Sequence, residues 1–236
     1  MSHYSVAVIV PKSIDEKSLN EYVDKALEPF DENLQVEPYI AYTKNELKKK
    51  YEEYQQMVFK DKDNVLEKDL SFEDFSNDYC GHGNDEEGNA LSTYNPKSKW
   101  DWYEIGGRWN NMIETKSSKK VNYARIKDIA FSKKFNDLEK QKMKKDYKEL
   151  IKEGDFYKPE YYQRRYPTLE SYIESFDFST YAILDKNGKW HESGQMGWFG
   201  ISSSTPEEEE NFYKSYMNLI NLQDKNDWLV VVDCHI

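Results

Sequence analysis

The stretch Tyr4-Ser5-Val6-Ala7-Val8-Ile9-Val10 decides how this chain folds. Val6, Val8 and Val10 alternate with Ala7 and Ile9, so both faces are apolar. A strand apolar on both faces belongs inside a sheet that is covered above and below. Pro11 ends it. Far along the chain, Trp228-Leu229-Val230-Val231-Val232-Asp233-Cys234-His235 has the same character. The two strands are therefore expected to be neighbours in one sheet.

Between them the pattern is largely helical. Ser13-Ile14-Asp15-Glu16 and Thr43-Lys44-Asn45-Glu46 have capping-box spacing. The first opens a helix with Leu19, Tyr22, Val23, Ala26 and Leu27 on one stripe, closed by Pro29. The second continues through Leu47, Tyr51, Tyr54 and Val58, and Ser71-Phe72-Glu73-Asp74 marks a third start. Cys80 to Gly88 reads as a loop and Trp109 to Thr115 as a strand. Ser132 to Ile151 reads as a lysine-rich helix burying Phe135, Leu138, Met143, Tyr147 and Ile151, stopped by Gly154. Tyr157 to Pro167 reads as irregular. Asn187-Gly188 joins Thr180–Lys186 to Lys189–Glu192 as a hairpin. Thr205-Pro206-Glu207-Glu208 starts a last helix through Phe212, Tyr216, Leu219 and Ile220. Strands and helices do not strictly alternate, so the fold class is α+β. One mainly antiparallel sheet contains both chain ends, with helices packed on it and helical insertions. A single domain over 1–236 is expected, with a helical insertion around 116–178.

Composition supports a folded core. Only 38% of residues are hydrophobic, but nineteen Tyr, eleven Phe and six Trp supply large apolar rings. Two cysteines, Cys80 and Cys234, make no disulfide framework. The apolar run at Val6–Val10 is too short for a signal peptide or a membrane span, and a cytoplasmic location is expected. The net charge of −11 argues against DNA binding as the main activity. From Lys116 to Lys152, thirteen Lys/Arg face five Asp/Glu, a local +8. That segment reads as a solvated helix face or as a basic groove for a phosphorylated ligand.

The densest chemical signal is Asn95 to Trp109. Trp100, Trp102, Tyr103 and Trp109 can stack on bases, and Lys97 and Arg108 can meet phosphate. Gly106 and Gly107 permit positive φ and close approach of a ligand. The same residues can also form a glycine turn with its tryptophans in the core and Arg108 in an internal ion pair. A second glycine–aromatic segment runs from Gly194 to Gly200, where Gln195, Met196, Gly197 and Trp198 can wall a pocket or end a strand. Asp233 and His235 share a strand face and suit either an oriented imidazole or a hydrogen bond at a sheet edge. The Cys80/His82 and Cys234/His235 spacings do not fit zinc, and no metal or cofactor is expected. Nothing matches a nucleophile elbow, a P-loop or a zincin helix, so no catalytic residues are assigned.

His3-Tyr4-Ser5-Val6, Glu28-Pro29-Phe30-Asp31-Glu32-Asn33, the run Ser92 to Tyr103 with Gly106-Gly107-Arg108-Trp109, and Val232-Asp233-Cys234-His235-Ile236 together resemble a widespread family of functionally unassigned tailed-phage proteins. The resemblance covers the chain from end to end. It implies a phage accessory protein acting in the host cytoplasm, a role that often counters host defence. By analogy with nucleotide-sequestering proteins, the partner is a small phosphorylated or nucleotide-like signal, bound without catalysis. The alternatives are an acidic protein–protein inhibitor of a host defence enzyme, or an enzyme degrading the signal with His235 as base. No membrane partner and no specific DNA binding are expected, and the oligomeric state is open.

Overall fold

Along the chain the described residues form β1 (His3–Val10), α1 (Leu19–Leu27), β2 (Tyr39–Tyr42), α2 (Lys44–Lys60), α3 (Phe72–Cys80), β3 (Ala90–Ser92), β4 (Trp102–Ile105), β5 (Ile113–Glu114), β6 (Lys120–Val121) and β7 (Tyr123–Arg125). Then follow α4 (Asp137–Glu153), α5 (Pro159–Arg165), α6 (Leu169–Glu174), β8 (Ala182–Leu184), β9 (Trp190–Glu192), α7 (Pro206–Asn221) and β10 (Trp228–His235). The computed structural model describes residues 2–60, 70–80, 83–196 and 202–236. They group into two compact units, Met1–Asp31 with Lys99–Ile236, and Glu32–Ser98.

The larger unit is built on a six-stranded sheet in the order β4-β10-β1-β8-β9, with β7 also paired to β10. β1 and β10 are adjacent and antiparallel in register from His3↔His235 to Val10↔Trp228. Only β8 runs parallel to β1, so the sheet is mainly antiparallel and holds both ends of the sequence, an α+β fold.

Alternation along β1 and β10 divides the core between two faces. Val6, Val8, Val10, Val230, Val232 and Cys234 pack with Leu19, Val23 and Leu27 of α1 and with Trp100. Ala7, Ile9, Leu229 and Val231 pack on the other face with Tyr216 and Ile220 of α7. The Leu19, Val23 and Leu27 spacing puts one residue per turn on the sheet. Each such buried side chain contributes about 1.5–3 kcal/mol. Asn187-Gly188 makes the expected hairpin between β8 and β9, with Gly188 at φ 76°. Asp185 holds the turn by accepting the N–H groups of Asn187 and Lys189, and burial notwithstanding, these bonds and His191 lower its carboxyl below the usual range.

The smaller unit carries the antiparallel pair β2–β3 with α2 and α3. Thr43 and Glu46 cap each other at the start of α2, and Ser71 caps α3 through the Asp74 N–H. Tyr51 contacts Tyr54, Phe72 and Phe75, so rings make much of this core.

Several local expectations are corrected. Ile14 N–H closes a turn onto Pro11 O, so the first helical turn starts later and Asp15, not Ser13, caps it at the Ser18 N–H. α1 ends at Leu27, just before Pro29, as expected, and Pro29 itself lies in a following 3₁₀ turn, Glu28–Phe30. Trp109 belongs to the 3₁₀ turn Gly107–Trp109; of the expected strand, Ile113–Glu114 pairs with β6 and Thr115 makes a single antiparallel bridge to Ile129. α4 starts at Asp137, because Asn136 and Glu139 form a capping box; Met143 is its buried residue and Leu138 is 78% exposed. Tyr157–Pro167 contains α5, with Pro159 in its first turn. Residues 116–178 hold α4 to α6 and also β6 and β7.

Burial of tyrosines sets an alkaline limit on stability. Burial raises the hydroxyl pKa of Tyr4 and Tyr216 well above the ordinary value, and it pushes Tyr213 up to about 12, with Asp177 and Glu174 adding to the shift. An unfolded tyrosine ionises near pH 10. The folded state therefore holds these protons more tightly, and their contribution to stability is constant below about pH 10 and is lost above it. The expected slope is about 1.4 kcal/mol per pH unit for each of Tyr4 and Tyr216. The last part of the phenolate absorbance rise should coincide with the loss of circular dichroism; ionisation of all nineteen tyrosines with the fold intact would contradict this.

Candidate functional site

On the α7 side of the sheet the apolar pattern stops at one end of β1 and β10. Ser5 and His3 continue the row of Ala7 and Ile9, and Asp233 and His235 continue the row of Leu229 and Val231. β4 extends this polar end, with Glu104 opposite Asp233 and Trp102 opposite His235.

Asp233 is 2% exposed and lies at the centre. Its Oδ1 is 3.0 Å from His3 Nδ1, and its Oδ2 accepts the Arg108 N–H at 2.9 Å. An acceptor with two such partners fixes both an imidazole and a turn. The turn fits because Gly107 has no side chain: a Cβ there would lie 2.4 Å from Asp233 Cβ. Gly106 has φ 79°, and a Cβ on it would meet Asn122 Nδ2 at 2.5 Å. Asn122 braces the same turn by accepting the Asn111 N–H. The glycine pair is thus required by two close approaches from within the fold.

A second carboxylate–imidazole pair stands beside the first. His235 Nδ1 is 2.5 Å from Asp101 Oδ1, and the His3 and His235 rings meet edge to face with centroids 5.0 Å apart. His235 Nε2 is buried and makes no hydrogen bond among the described residues. Trp102 is 49% exposed. The Arg108 side chain is exposed and forms no ion pair among the described residues.

The other expected site residues go elsewhere. Trp100 and Tyr103 lie on the α1 side of the sheet, where Trp100 donates Nε1–H to Leu27 O and Tyr103 donates its hydroxyl to Asp24. Burial and the Asp24 bond raise the Tyr103 hydroxyl pKa. Trp109 packs on the α7-side core. Lys97 is an exposed residue of the smaller unit, and its N–H donates to Asn95 Oδ1. Gln195 pairs with Ser203, and Met196 packs on the α1-side core. Gly197 and Trp198 lie outside the described residues. Cavities of 380, 550 and 220 Å³ run along α7, and Arg108, Trp109 and residues 194–196 line none of them.

His3 and Asp101 were the residues that composition and motif could not single out, and Asp233 orients His3 rather than His235. A signal for His3 existed, since antiparallel pairing of the two terminal strands brings one histidine opposite the other. Cys234 points to the opposite face, and burial raises its thiol pKa well above the ordinary value, which makes it an inert core residue. Among the described residues no three His, Cys, Asp or Glu side chains form a metal-binding group. No described helix is long and apolar enough to cross a membrane. Compared with family models, curated proteins and solved structures, the chain has no match.

Proposed function

We propose that the Trp102–Arg108–histidine face binds a small phosphorylated or nucleotide-like ligand, and that the chain is a phage accessory protein which counters host defence by withdrawing that ligand. The observation that carries this reading is the state of Arg108. Its main-chain N–H is locked onto a buried carboxylate while its guanidinium stays exposed without an ion pair among the described residues. On a chain of net charge −11 an unpaired arginine fork held on a rigid turn is suited to a phosphate or carboxylate. Half-exposed Trp102, on the same sheet face, offers a ring for a base, and such stacking contributes about 1–3 kcal/mol.

Arg108→Ala is expected to weaken binding by about 1.5–3 kcal/mol, roughly 10- to 150-fold. The melting temperature should barely move, since exposed substitutions shift stability by within about 0.5 kcal/mol. Titration with a panel of cyclic nucleotides, followed by tryptophan emission and by chromatography of the recovered ligand, measures the first; a melting curve measures the second. Unchanged affinity, or a large loss of stability, would remove Arg108 from the site. A protein that binds none of the panel yet still blocks a host defence enzyme would favour an acidic protein–protein inhibitor instead.

A further inference from the structure

We infer that His3 is the catalytic base of this face, and that the ligand is a ribonucleotide phosphodiester cut through its own 2′-hydroxyl; the inference rests on the binding reading above. Asp233 accepts from His3 Nδ1, so a neutral His3 carries its proton on that nitrogen and a lone pair on Nε2. His3 Nε2 makes no hydrogen bond among the described residues, and the side chain is 17% exposed, so it is reachable from solvent. The same Asp233 carboxylate holds the Arg108 N–H. One buried group therefore sets the place of both a base and the backbone of a cation.

His235 has a different part. Its Nε2 is buried, so it does not touch a ligand. Its ring, fixed by Asp101, packs edge to face on His3 and holds the plane of that imidazole. His235 is a positioning residue.

The reaction follows from which groups are present. Ser5, the hydroxyl residue in the same row of β1, is buried and accepts the Tyr181 N–H, and Cys234 lies on the opposite face. With no protein nucleophile in this row, the nucleophile is taken from the ligand, and water is the competitor that the 2′-deoxy analogues test. A neighbouring 2′-hydroxyl has an effective concentration on the order of 10⁵–10⁸ M, so one base and one cation suffice to activate it. His3 Nε2 takes the 2′-hydroxyl proton and the 2′-oxygen bonds to phosphorus. The bond from phosphorus to the 5′-oxygen breaks with its electron pair on that oxygen, which takes a proton from water. The hydroxide so formed is neutralised by the proton His3 gives up. Arg108 meets the charge that develops on the phosphoryl oxygens. The products are a 2′,3′-cyclic phosphate and a free 5′-hydroxyl.

The test uses the full chain with a 3′,5′-linked cyclic diribonucleotide, a linear ribodinucleotide and their 2′-deoxy analogues, in buffer with a chelator. The ribo compounds should yield a 2′,3′-cyclic phosphate, and the deoxy compounds should bind intact. His3→Gln should slow cleavage at least about 100-fold with little change in Kd, and added imidazole should restore part of the rate to His3→Gly. If these variants fail to fold, the native chain decides by substrate: the ribo compounds must be cut and their 2′-deoxy analogues must not. Binding without cleavage would sink this inference and leave the proposed function standing. Neither binding nor cleavage would sink both. Cleavage that persists in His3→Gln, or that ignores the 2′-hydroxyl, would overturn the assignment of base and substrate.

Discussion

A chain lacking residues 228–236 is expected to be insoluble and to give no cooperative melting transition. The deletion removes β10, which pairs along its whole length with β1 and also carries β4 and β7. Leu229, Val230, Val231 and Val232 are all 0% exposed. At about 1.5–3 kcal/mol each, their loss alone is comparable with the roughly 5–15 kcal/mol that holds a domain together. The exposed edges of β1 and β4 would then be free to pair between molecules. Soluble expression and a thermal scan by circular dichroism check this. A truncated chain with the native melting curve would make β10 peripheral, contrary to its place in the sheet.

The second large effect is expected at one methyl group. Gly107→Ala should lower stability by about 2–5 kcal/mol, from about 1–3 kcal/mol of overpacking and about 1–2 kcal/mol for a left-handed backbone. Gly107 has φ 50°, and the added Cβ would fall 2.4 Å from Asp233 Cβ. Asp233 has little freedom to move, being buried and held by His3 and the Arg108 N–H. Relief of the clash would break those bonds, so ligand binding should disappear with the lost stability. Gly188→Ala is the comparison, because Gly188 has φ 76° but nothing within 4 Å of its added Cβ. Urea denaturation of the two variants separates the steric share from the conformational one. Equal losses at the two positions would show that the Asp233 contact carries no weight.

How far the sequence could be read depended on whether a feature was local. β1 and β10 were legible because five or more successive apolar side chains have few places to go except a covered sheet. The caps at Thr43, Ser71 and Thr205 were legible because donor and acceptor sit three residues apart. Asn136 was missed, although its capping box with Glu139 has the same form, because the lysine-rich pattern upstream suggested an earlier start. Position within the site was harder. Trp100, Trp102 and Tyr103 look alike as a cluster of rings. Pleating of β4 sends Trp102 to the α7 side and Tyr103 to the α1 side, and Trp100, just before the strand, is buried in the α1-side core. The roles of Asp101 and His3 depended on partners 134 and 230 residues away. No local pattern encodes such a pairing, and only the register of two distant strands brings it about.

That register also sets the order of events during synthesis. β1 is synthesised before its partner, and the strand that pairs with its full length is made more than two hundred residues later. Until then a strand apolar on both faces has only β8 as a partner within the sheet, along three residues. Closing so long a loop is entropically unfavourable and slow. The nascent chain therefore carries an unsatisfied sticky strand until β10 has been made. Refolding from denaturant should be limited by the meeting of these two segments. A chaperone that shields β1 would raise the yield of native protein more than one that shields the stretches between β1 and β10.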